Sequence, residues 1–76
     1  MENINATITK KIEYEKARLN VPWGTLAENA GMSLTNFNRK RVGGKDWSAT
    51  EVARLADFLR VPFAEFFPSE LVEARA

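Results

Sequence analysis

The sequence predicts an all-α domain built from five short helices. Apolar residues recur at helical spacing, as in Ile4, Ile8 and Ile12. Glycines and prolines are sparse and fall where helices should start or stop. No segment alternates apolar and polar residues at period two for long, as a half-buried strand would. With 76 residues, the chain has room for one domain and one small core.

The first helix is expected over 4–19, with Ile4, Ile8, Ile12 and then Leu19 forming its apolar stripe and charges elsewhere, Glu13 and Glu15 on the exposed side. Pro22 suits the first turn of a second helix over 23–30, where a missing N–H costs nothing. Gly31 ends that helix, since glycine enters the left-handed region without steric penalty. Ser33 caps a third helix over 34–42, stopped by Gly43-Gly44. Ser48 with Glu51 forms a capping box for a fourth helix over 49–60, whose inner stripe is Val52, Leu55, Ala56 and Leu59. Pro62 and Pro68 bracket a short fifth helix over 63–67, followed by a tail, 68–76.

Composition excludes several classes of chemistry. Without cysteine or histidine there are no disulfides, no usual zinc sites and no catalysis by either side chain. No Ser–base pair, phosphate-cradling glycine loop or metal-ligand spacing appears. The expectation is a non-enzyme with no metal, no other cofactor and no small-molecule ligand. No apolar run approaches the roughly 18 residues of a membrane span, and MENINATITKK lacks a signal-peptide pattern. A cytoplasmic protein is expected.

Charge is unevenly spread. Residues 1–38 balance Lys10, Lys11, Lys16 and Arg18 against Glu2, Glu13, Glu15 and Glu28. Residues 39–45 hold Arg39, Lys40, Arg41 and Lys45 with no acid, and the segment beyond them is net acidic. Such polarity offers one basic surface to an anionic partner.

The second and third helices are joined by a few residues around Gly31-Met32-Ser33, so they should cross steeply. Ala27 permits close approach, Leu26, Ala30 and Met32 fill the gap, and Phe37 is the anchor of the third helix. The remaining residues, Leu34, Thr35, Asn36, Asn38, Arg39, Lys40 and Arg41, are left to face outward.

In this order and spacing, LAENAGMSLTNFNRKRVGG followed by WSATEVARLADFLRVPFAEFF resembles the Cro/C1-type helix-turn-helix family of phage repressors and small bacterial regulators, over about residues 12–67. The resemblance implies a five-helix, lambda-repressor-like DNA-binding domain whose helix 34–42 enters the major groove of double-stranded DNA. It makes Leu34, Thr35, Asn38 and Arg39 the base readers, with Asn36 beside a phosphate or a base. Arg39 suits guanine O6/N7 and asparagine suits adenine N6/N7. Lys40, Arg41 and Lys45 are expected at phosphates. The chain departs from the family pattern at three positions: Trp23 replaces the glutamine that opens the second helix, Lys40 replaces a buried aliphatic residue, and Leu34 replaces a polar reader. Whether Trp23 caps the core or donates its indole N–H to a phosphate stays open.

The implied function is sequence-specific transcriptional regulation, most simply repression of a phage or bacterial operator, with a homodimer as the candidate assembly on a two-fold site. Two other readings use the same scaffold: a protein-interaction module, antitoxin-like or regulator-binding, and a recombination accessory protein. Trp47 reads as structural, a hydrophobic staple against Val52 or its neighbours. Phe58, Phe63, Phe66 and Phe67 read mostly as core, with an exposed pair or a turn at Leu71 and Val72 as a candidate interface.

Overall fold

Each helix of the computed structural model, which describes residues 3–68, begins and ends for a local reason. Helix α1 spans Ile4–Leu19, α2 Trp23–Ala30, α3 Leu34–Arg41 and α4 Ala49–Leu59, followed by a 3₁₀ turn at Phe63–Phe66. There is no strand among the described residues. The Asn3 side chain caps α1 by accepting from the amides of Asn5 and Ala6 at 2.8 and 3.2 Å. Ser33 Oγ accepts from Asn36 N at the start of α3. Ser48 and Glu51 close the expected capping box, with each side chain accepting from the other's amide. Gly31 and Gly43 both lie at positive φ, 79° and 94°, where a Cβ would be strained.

Three helix ends fall short of expectation: α3 stops at Arg41 and α4 at Leu59, each one residue early with Val42 and Arg60 as C-caps, and the last element ends at Phe66. Pro22 precedes the first turn of α2 as its N-cap, and its carbonyl accepts from Thr25 and Leu26. The expected fifth helix is a single 3₁₀ turn. Pro62 and Pro68 leave room for little more than one turn, the length at which 3₁₀ geometry is common. The turn expected at Leu71 and Val72 lies outside the described residues.

The core gathers Ile8 and Ile12 of α1, Leu26, Ala27 and Ala30 of α2, Phe37 of α3, Val52, Leu55, Ala56 and Leu59 of α4, and Trp47, Val61 and Phe66. Phe37 is its aromatic centre. The Trp47 ring meets it edge-on at 5.1 Å and Trp23 tilts against it at 5.9 Å. Trp47 is thus structural, in one core cluster with Val52, and it also ties to α1: its indole N–H donates to Thr9 Oγ1 at 2.9 Å and its amide N–H to Asn5 Oδ1 at 2.9 Å. Of the four phenylalanines near the C-terminus only Phe66 is buried. Phe67 is half-buried, and Phe58 and Phe63 are exposed. One 3₁₀ turn covers too little of α4 to hide more.

The stripe of α1 also departs from its expected form. Ile4 and Leu19, at the two ends, are exposed, and Glu15 takes the next inward position at only 3% exposure. A buried carboxylate needs partners. Arg18 supplies Nη2 at 2.6 Å and Lys11 supplies Nζ at 3.1 Å. Burial pushes the Glu15 carboxyl up, but these two cations outweigh it and hold it below its ordinary value. Lys11 also reaches Glu65 at 3.4 Å, tying α1 to the 3₁₀ turn. Burial alone would lower its ammonium pKa; the two carboxylates raise it above the usual lysine value. No helix among the described residues is long and apolar enough to cross a membrane.

Candidate nucleic-acid interface

The connection from α2 to α3 is tight because Gly31 turns left-handed and lets the Met32 amide donate back to Ala27 O at 3.0 Å. Ser33 then starts α3 at once. Phe37 is the one buried residue of α3, so it fixes the rotation of the helix about its axis. Each residue advances about 100° around a helix, so positions two before and two after Phe37 point about 160° away from it. Those positions are Thr35 and Arg39, one turn apart on the outer ridge, and both are exposed. Asn36 flanks the ridge; Leu34, three before Phe37, lies about 60° from it and is 44% exposed because it opens the helix.

Lys40 and Arg41 follow Phe37 by three and four residues and therefore lie on its side of the helix, within about 60° of it. Both turn toward the body of the protein. The Lys40 ammonium meets both carboxylate oxygens of Glu51, at 2.5 and 2.6 Å. Glu51 thus caps α4 and neutralises α3 together. Burial raises its carboxyl, while Lys40 and the Ser48 amide more than reverse that, leaving it below the ordinary value. The Arg41 guanidinium stacks over Trp23 at 4.6 Å, donates through Nε to Asn38 Oδ1 at 3.3 Å and pairs with Glu13 at 3.6 Å. Lys16 approaches the same indole at 5.1 Å.

The basic run is therefore divided. Sequence reasoning left Lys40 and Arg41 facing outward for phosphates; instead, Glu51 engages the first and Trp23, Asn38 and Glu13 engage the second. Arg39 and Lys45 are exposed, and neither side chain forms an ion pair or hydrogen bond among the described residues. Asn38 is half-buried with its carbonyl oxygen committed to Arg41. Trp23 is half-buried against Phe37, at the edge of the core. The expected readers Thr35 and Arg39 share the outer side of α3 and Asn38 sits at its margin, whereas Leu34 lies on the Phe37 side and is exposed as the first residue of the helix.

Sequence reasoning passed over Lys10 and Lys16. They belong to a segment whose charges sum to zero, and that sum concealed which of its bases have partners. Comparison with protein-family models and with curated proteins returned no match.

Proposed function

We propose that the protein is a sequence-specific double-stranded DNA-binding regulator, with α2 and α3 acting as a helix-turn-helix in a lambda-repressor-like fold. The observation that carries this reading is the orientation of α3. Its outer ridge presents a hydrogen-bonding hydroxyl, Thr35, and a guanidinium with no ion-pair partner among the described residues, Arg39, opposite the anchoring Phe37. In the major groove such a ridge meets base edges, where Arg39 suits guanine and Thr35 suits either a polar edge or a thymine methyl. Leu34, at the head of the helix, adds apolar contact. Lys45 supplies backbone attraction, and Lys40 and Arg41 hold the shape of the reading head.

Occupancy of an operator by this domain excludes polymerase, which is repression in its simplest form. One α3 reads only a few base pairs, so specificity calls for two copies on half-sites about one helical turn apart. The exposed Phe63 that opens the 3₁₀ turn is the candidate contact between them.

Selection from a random duplex library tests this reading directly. A consensus should emerge, palindromic if two copies bind, and affinity should fall steeply between about 50 and 200 mM salt. No duplex binding at the lower salt rejects it. The exposed Leu34 favours one second reading, a protein-interaction module that buries α3 in a partner; that reading requires binding without the steep salt dependence.

A further inference from the structure

A groove runs between the N-terminal half of α1 and the segment joining α3 to α4, and its charged lining is Lys10, Glu13, Lys40, Arg41, Lys45 and Asp46. Four bases face two acids there, and both acids have partners. Glu13 pairs with Arg41 at 3.6 Å, and Asp46 accepts from Asn5 Nδ2 at 2.9 Å. Lys40 belongs to Glu51. Lys10 and Lys45 remain, both exposed and neither in an ion pair or hydrogen bond among the described residues. The groove is also fixed in place. Asn5 holds both Asp46 and the Trp47 amide, and Thr9 holds the Trp47 indole, so the connecting segment is tied to α1 at three points.

We propose that this groove is a second DNA-backbone site, in which Lys10 from α1 and Lys45 from the connecting segment hold a phosphate of the duplex from opposite walls. The proposal rests on the DNA-binding reading and adds to it a contact from α1, which the charge pattern of the sequence does not single out. Geometry supports it. The eight residues of α3 span about 12 Å at 1.5 Å per residue, comparable to the major-groove width of about 12 Å. With the N-terminal end of α3 toward the bases, its C-terminal end approaches the sugar–phosphate strand. The groove begins at that end, with Lys40, Arg41, Val42 and Gly43. Two exposed cations with no ion-pair partner among the described residues, on walls tied together by hydrogen bonds, are suited to a single anion there.

Lys10→Gln tests the site. Lys10 is exposed on α1, so the variant should unfold at the wild-type temperature. It should bind all duplex sequences more weakly and in parallel, with the slope of log K against log salt reduced by about 0.9. Lys10→Arg should restore the wild-type slope, and Arg60→Gln, an exposed charge at the end of α4 outside the groove, should not change it. An unchanged slope in Lys10→Gln, with steep wild-type salt dependence and an altered sequence preference in Arg39→Ala, overturns the groove site and leaves the DNA reading standing. Absence of duplex binding by the wild-type chain at about 50 mM salt removes both.

Discussion

The outer ridge and inner flank of α3 are made of similar residues and behave differently. Arg39 and Arg41 are the same residue two positions apart. Arg39 stands exposed with no ion-pair or hydrogen-bond partner among the described residues, while Arg41 lies over an indole, bonded to Asn38 and paired with Glu13. Lys40 and Lys45 differ in the same way, one clamped by Glu51 and the other exposed. Position relative to Phe37 decides which cations brace the helix and which remain available to a ligand. A run of bases is therefore a poor unit of function; a helix face is a better one.

The largest expected effect removes the reference point itself. Phe37→Ala should cost about 3–5 kcal/mol, since it empties the centre of the aromatic cluster. Denaturant unfolding measures it, and a loss under about 1 kcal/mol would mean that Phe37 does not set the rotation of α3. Next comes the ridge. Arg39→Ala should leave stability within about 0.5 kcal/mol while costing roughly 1–3 kcal/mol on a selected site and relaxing preference at one base pair. Titration of the variant against matched and mismatched duplexes reads that difference.

The inner flank should answer in the opposite way. Glu51→Ala removes a cap and strands Lys40, so unfolding should come about 1–2 kcal/mol sooner. Lys40→Met leaves the half-buried Glu51 carboxylate without its ammonium and should cost about 1–2 kcal/mol of stability while the salt slope of duplex binding stays unchanged. A slope reduced by about one in Lys40→Met would erase the distinction between flank and ridge.

Acid provides the gentlest probe. Glu15 and Glu51 both titrate below 4.5 in the folded protein, so the unfolded chain binds their protons first as pH falls. Their stabilisation is complete above about pH 4.5 and is lost as pH drops through the folded values. Lys11 has the opposite sign, with its contribution complete below 10.5 and lost at higher pH. Unfolding midpoints followed from pH 7 to pH 3 should fall less steeply in Glu15→Gln than in the wild type.

Features written within a few residues were legible in the sequence. The Ser33 cap, the Gly31 turn and the Ser48–Glu51 box are each specified locally, and the structure places them where spacing alone puts them. Phe37 was legible for the same reason, as an apolar residue isolated in a polar helix. What the sequence did not disclose depends on residues far apart. Lys40 and Glu51 are eleven positions apart, Trp47 and Thr9 thirty-eight, and no periodicity links them. Glu15 is an intermediate case. Its position on the stripe of Ile8 and Ile12 argued for burial and its carboxylate against. Lys11 four residues before and Arg18 three after were the signal that burial was compensated.

The two tryptophans give the chain a built-in optical gauge. Both rings touch Phe37, yet Trp47 is enclosed by the core while Trp23 sits at its edge between Lys16 and Arg41. Emission from Trp47 should shift only when the domain unfolds. Trp23 lies where α1, α2 and α3 meet, so its emission should respond to a change in the cations around it while the fold stays intact. A Trp23→Phe variant isolates the first signal and Trp47→Phe the second, so unfolding and ligand occupancy can be followed in one cuvette without a label.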